Sequence, residues 1–315
     1  MMKSRTLDPE AAKLLERARA STIPPYETLS PAKAREYNAM GRPHLQPPKP
    51  DMGLIEDIDA GGITVRHYRP LGSDAAAVLP AMVYFHGGGW VLGDLDSHDI
   101  VCRSVCNASG GAVLSVNYRV APEARFPAAV EDAFAATHWI ASYAAKLKID
   151  ATRLAIGGDS AGGNLAAVVA LLARDAGGPR LIHQALTYPA TDMMMETPSH
   201  AEFAEGHILT RSVMNWFHQQ YFADPAQKLD WRASPLRAPS HAGLPPASIL
   251  LAGCDPLRDE GHAYAERLRQ AGVQVAVKEF PGTIHSFIGM GKVLPQAAPA
   301  LNWLGSELRL AYARP

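Results

Sequence analysis

The sequence predicts an α/β fold in which a mostly parallel central sheet is covered by helices on both faces and roofed by a helical cap. Two patterns carry that prediction. From Pro80 onward, short β-branched or apolar runs bounded by Gly, Asn or Pro alternate with helical stretches, as repeated strand–helix units do. The runs are also apolar at successive positions, hence on both faces, as parallel strands buried between two helix layers are. A chain of 315 residues that is 47% hydrophobic and 19% charged is globular in composition and needs no disulfide or metal to hold its core.

Taken in order, Pro9 to Arg19 is an amphipathic helix with Leu14, Leu15 and Ala18 on one face. A turn and a second short helix follow, and the prolines of RPHLQPPKP are expected to end regular structure there. LIEDID and GITVRHYR form an antiparallel hairpin around Ala60-Gly61-Gly62, the second strand alternating Ile63, Val65 and His67 against Thr64, Arg66 and Tyr68. The sheet strands are then AMVYF (81–85), AVLSVNY (112–118), RLAIGG (153–158), the weaker LIHQALTYP (181–189), ASILLAG (247–253) and VQVAVKEF (273–280). Helices are expected near Asp99–Ala108, Ala128–Lys146, Ala161–Arg174, Leu257–Gln270 and Gln296–Tyr312. Residues 190–244 break the alternation. A connection of that length inside one domain is usually functional, and its aromatic and Met content suggests a helical insertion that, with the N-terminal arm, covers the C-terminal edge of the sheet.

With 30 Lys+Arg against 31 Asp+Glu the formal net charge is −1, which argues against a nucleic-acid or basic membrane-surface partner. Cys102, Cys106 and Cys254 form neither a CxxC pair nor a zinc spacing. The N-terminus lacks the apolar core of a signal peptide, since Asp8, Glu10 and Lys13 interrupt it. The strongest apolar run, Leu165 to Ala173, falls short of the roughly 20 residues needed to cross a bilayer. A cytoplasmic location is therefore expected.

The sharpest chemical signal is Gly158-Asp159-Ser160-Ala161-Gly162, a G-x-S-x-G with a strand leading in and a helix leading out. That context is a nucleophile elbow: the turn strains the serine, and small residues on either side let strand and helix approach. Its hydroxyl then stands at a helix N-terminus, where negative charge is favoured. His86-Gly87-Gly88-Gly89-Trp90 directly follows the strand AMVYF. Three consecutive glycines are entropically costly and imply a conformation a Cβ would prevent; here they can present N–H donors to an oxyanion together with the N–H of Ala161. A phosphate loop is the rival use, but neither GxxxxGK[ST] nor a helix-opening GxGxxG is present.

A serine nucleophile needs a base, and the base needs an orienting carboxylate. Asp255 follows the strand ASILLAG, and His285 follows VQVAVKEF, so both belong to the sheet edge that carries the elbow. The chain order Ser, Asp, His is that of an α/β-hydrolase. Asp259 and Glu260 compete for the carboxylate role but fall within the next helix, where they read as N-terminal helix charges.

HGGGW, YRVAPE (118–123), GDSAGG (158–163), DPLRDEG (255–261) and the late IHSF together resemble the bacterial hormone-sensitive-lipase-like carboxylesterases, from about residue 50 to the end. The resemblance implies an arm over residues 1–50 contributing to a cap, and an α/β-hydrolase domain over 51–315 with the cap insertion at about 190–244. It implies Ser160 as nucleophile, His285 as general base and acid, Asp255 as its orienter, and Gly88, Gly89 and Ala161 as the oxyanion donors, with His86 a structural hydrogen-bonder. The implied reaction is hydrolysis of short- to medium-chain acyl esters through an acyl-enzyme, without metal or organic cofactor, and the partner is a small ester. Trp90, Tyr188, Phe203, Ile208, Leu209 and Phe217 are the candidates for an apolar pocket. Two departures stand out, Val120 for the commoner Leu and Ser286 for the Gly often found after the histidine. Lipase, amidase and non-catalytic receptor uses of the same scaffold are the competing readings, and the 273–280 strand is a candidate edge for pairing in a homodimer.

Overall fold

The computed structural model describes residues 6–314. Met1 to Arg5, which open the expected arm and the stretch read as lacking a leader, lie outside the described residues. The arm folds as α1 (Pro9–Arg19) and α2 (Pro31–Leu45). Here the expectation from the prolines fails: α2 runs on through Pro43. A proline in the last turn removes only one donor, and the turn is pinned by Arg42 to Asp94 at 2.9 Å and by Gln46 Nε2 to the Ser97 carbonyl at 2.8 Å.

The hairpin forms as expected from β1 (Leu54–Asp59) and β2 (Thr64–Arg69), its turn closed by Gly62 N–H donating to Asp59 at 2.6 Å. Six further strands follow: β3 (Leu79–Phe85), β4 (Ala112–Val116), β5 (Ile149–Asp159), β6 (His183–Thr187), β7 (Ala247–Cys254) and β8 (Val275–Ile284). They line up as β1-β2-β4-β3-β5-β6-β7-β8, antiparallel only at the β1–β2 and β2–β4 pairings. Along β3, Ala81, Val83 and Phe85 enter one core and Met82 and Tyr84 the other, the two-sided burial that successive apolar residues foretell. Helices α4 (Ala128–Ser142), α5 (Ala161–Asp175) and α8 (Arg258–Gln270) cover the first face. Helices α3 (Asp99–Ser109) and α9 (Ala297–Tyr312), with α1 beside them, cover the second.

Two element ends differ from the expectation, and the second matters for the site. Helix α4 stops at Ser142 rather than near Lys146. Strand β8 continues four residues beyond Phe280, through Pro281, to pair Ile284 with Cys254. Pro281 is tolerated because β8 is an edge strand, and the extension delivers residue 285 beside the end of β7. Between β6 and β7 the chain makes the helical excursion expected there, with α6 (Pro198–Glu202) and α7 (Arg211–Tyr221). It meets the arm where Arg19 donates to the Gly206 carbonyl at 3.0 Å and Ser212 to Glu27 at 2.7 Å.

Candidate active site

Because β3, β5, β6, β7 and β8 run parallel, the residues that follow them gather at one edge of the sheet. Ser160 is the single residue between β5 and α5. Its backbone sits at φ 56° and ψ −118°, a region that a side chain rarely occupies and that persists only when neighbours enforce it. They do so here: Ser160 N–H donates to the Thr187 carbonyl at 2.9 Å, and its own carbonyl accepts from Asn164 at 2.9 Å and Ala190 at 3.2 Å. Gly162 must be glycine, since a Cβ would run into the Phe85 carbonyl of the neighbouring strand.

The three distant side chains meet. His285 Nε2 lies 2.9 Å from Ser160 Oγ, and its Nδ1 lies 2.7 Å from Asp255 Oδ2. Asp255 is fully buried, and its other oxygen accepts from Leu257 N–H at 2.9 Å, which leaves one oxygen for the imidazole. The Tyr188 ring lies against His285 with 4.7 Å between centroids.

Facing this trio is the glycine loop. Gly88 and Gly89 have φ 118° and 59°, and a Cβ would meet the Leu92 carbonyl at the first and the Phe217 ring at the second, so both need glycine. Gly87 N–H is committed, donating to Asp159 Oδ1 at 2.9 Å. Among the described residues the N–H groups of Gly88 and Gly89 find no acceptor, and that of Ala161, at the first position of α5, precedes any intrahelical one. His86 is turned away, with Nδ1 2.9 Å from the Gly87 carbonyl and its ring stacked on Tyr118 at 4.2 Å. Burial pushes its pKa down to about 4, so it is a neutral structural group.

Asp259 and Glu260 do not approach His285; both instead fasten the excursion to the turn after Asp255. Asp259 Oδ2 accepts from Ser199 N–H at 2.9 Å, and Ser199 Oγ donates to the Pro256 carbonyl at 2.6 Å. Glu260 accepts from the N–H of Thr191, and its second oxygen lies 3.3 Å from His200 Nε2. Burial drives the Glu260 carboxyl well above the usual carboxylate range, against the pull of the Thr191 and Asp192 amides.

Ser160 and His285 open into a cavity of about 700 Å³. Trp90, Tyr188, Ile208, Leu209 and Phe217 line it, as do Leu14, Leu15 and Ala18 from the apolar face of α1. Phe203 does not. It is buried in the second core beneath the Arg258 guanidinium, 5.3 Å from its ring, because α6 turns it toward α8. Among the described residues no group of three or more His, Cys, Asp or Glu converges as a metal site requires. Sequence reasoning overlooked Asp159, buried beside the nucleophile, and His98, 3.2 Å from it. The acid at the second position of the G-x-S-x-G could have flagged the first; no spacing marks the second.

A sequence profile described as alpha/beta hydrolase fold matches residues 82–289. The chain is 47% identical over 261 residues to the carboxylic ester hydrolase LipN of Mycobacterium tuberculosis, covering 81% of this chain and 69% of that protein. It is 43% identical to an ethyl acetate hydrolase of Pseudomonas putida, covering 77% of each. Among solved structures, an ester hydrolase from the metagenome of Lake Arreo superposes with a TM-score of 0.93 at 40% identity, over 98% of this chain and all of that one. A thermostable esterase from Pseudomonas putida superposes with a TM-score of 0.92 at 38% identity, over 98% and 99%. The chain belongs to the alpha/beta hydrolase fold family, within its hormone-sensitive-lipase-like carboxylesterase group.

Proposed function

We propose that the chain hydrolyses small carboxylic esters by acyl transfer through Ser160. The observation that carries this is the continuous Asp255–His285–Ser160 chain, with contacts of 2.7 and 2.9 Å, opening into a mostly apolar cavity. His285 takes the Ser160 proton as Oγ attacks the ester carbonyl, and Asp255 holds the imidazole with Nε2 toward the hydroxyl. The carbonyl oxygen, now anionic, is received by the N–H groups of Gly88, Gly89 and Ala161. His285 then returns the proton to the departing alcohol, and water, deprotonated by the same imidazole, hydrolyses the acyl-enzyme.

Residues 1–50 and the 190–244 excursion act as the cap over this site, which bounds the substrate to the cavity and favours short- to medium-chain esters over long-chain lipids. The partner is accordingly a small ester rather than nucleic acid, for which a net charge of −1 offers no attraction. Cys102 and Cys106 are buried free thiols and Cys254 is buried as well, which fits a reducing, cytoplasmic setting; no helix among the described residues is long and apolar enough to cross a membrane. The exposed edge of β8 is where two copies would pair as a homodimer.

The deciding experiment is Ser160→Ala assayed on p-nitrophenyl esters of graded chain length. The variant is expected to keep its circular dichroism and lose at least about 10⁴-fold in kcat, and the wild type to peak between butyrate and octanoate. Hydrolysis retained by the variant contradicts the mechanism, and a wild-type optimum at palmitate contradicts the substrate range.

A further inference from the structure

We propose that Asp159 is a positioning residue for ester hydrolysis: it clamps the Gly87 amide and thereby holds the N–H groups of Gly88 and Gly89 on the oxyanion. The inference rests on the esterase reading of Ser160.

A run of three glycines has no side chains with which to anchor itself, and its backbone is the most flexible a chain can offer. Donors to an oxyanion are effective only when they are fixed before charge develops. Something outside the loop must fix it. The Asp159 carboxylate, 3% exposed, is placed to do so. It accepts from Gly87 N–H at 2.9 Å and from the Tyr84 hydroxyl at 2.6 Å, and it lies 3.2 Å from His98 Nε2. These groups come from three places: Tyr84 from β3, Gly87 from the loop after it, and His98 from the residue that opens α3. His98 is held in turn, its Nδ1 2.8 Å from Ser97 Oγ, which hydrogen-bonds both the N–H and the carbonyl of Asp94.

The fit at Gly87 is close. A Cβ there would strike the Asp159 carboxylate, so glycine is needed for the amide to reach it. Burial works against the charge of Asp159, but the His98 ring and the Tyr84 hydroxyl outweigh it and hold the carboxyl below its usual range. An anion behind an oxyanion site is ordinarily unfavourable; here the donors from Gly87 and Tyr84 disperse part of its charge. Asp159 is also bonded directly to Ser160, so one residue sets the nucleophile and the oxyanion donors in a common frame.

The test compares wild type with Asp159→Ala, Asp159→Asn and Tyr84→Phe on one p-nitrophenyl ester. Two inhibitors accompany it: an alkyl trifluoromethyl ketone, whose adduct on the serine is an oxyanion, and the product carboxylic acid. Asp159→Ala is expected to lower kcat about 10²-fold, with KM within about twofold. Ketone affinity should fall in parallel while acid affinity holds. Asp159→Asn, which keeps an acceptor for Gly87 and Tyr84, should recover most of the loss. Should Asp159→Ala fail to fold, Tyr84→Phe carries the same test, with about a fivefold loss in kcat and in ketone affinity at constant KM. The proposal is overturned if ketone and acid affinities fall together, or if Tyr84→Phe matches wild type in both kcat and ketone affinity. A Ser160→Ala variant that still hydrolyses ester would remove the reading of Ser160 as nucleophile, an outcome no Asp159 variant can produce.

Discussion

Three acids lie within six residues of one another, and their surroundings give them different work. Asp255 ends at the imidazole. Asp259 ends at a backbone amide of α6, and Glu260 at the amides of residues 191 and 192. The separation rests on helix geometry: Asp255 lies ahead of α8, whereas the other two are inside its first turn and point to the excursion. Asp255→Asn should therefore cost about 10⁴-fold in kcat, because an amide at this position favours the wrong imidazole tautomer. Asp259→Asn should cost less than about tenfold, since it touches no reacting group. Steady-state kinetics of the two variants on one ester checks the pair, and comparable losses would return Asp259 to candidacy.

At the scale of elements, what was legible depended on whether a residue's task was local. The elbow, the hairpin and the strand–helix alternation are written in short-range chemistry, so Ser160, Asp255 and His285 could be placed from their strands alone. The extension of α2 through Pro43, the run of β8 to Ile284 and the clamp on Gly87 were not legible, because each depends on partners more than 25 residues away in the chain. Phe203 is ambiguous from sequence for the same reason: in a short helix nothing local says whether an aromatic faces a cavity or a core. Phe217 stands on the cavity side, packed so closely on Gly89 that a Cβ there would meet its ring. Phe217→Ala is expected to lower unfolding free energy by about 3 kcal/mol in urea titration and to shift the chain-length optimum toward larger esters. An unchanged optimum would mean that α7 does not bound the substrate.

For the whole molecule, buried histidines dominate the response to acid, four of them most strongly. Burial holds His86, His183 and His200 near pKa 4 and His218 near 3, below the ordinary value of 6.5. The unfolded chain then takes up protons at these imidazoles first as pH falls, so their contribution to stability is present above pH 6.5 and drains away toward pH 4, opposed by the buried Glu260 carboxyl, whose raised pKa works in the other direction. A thermal melt at pH 5 should lie about 5 °C or more below that at pH 7; equal midpoints would contradict the neutral, buried assignment. Light scattering at micromolar concentration addresses the β8 pairing, where a dimer mass is expected and a monomer mass would refute it. The convergence of residues 160, 255 and 285 is tested most directly by labelling with a fluorophosphonate and locating the adduct by peptide mass spectrometry. One modified site is predicted, at Ser160, with labelling lost in His285→Ala; an adduct elsewhere, or labelling indifferent to the loss of the imidazole, would contradict the account.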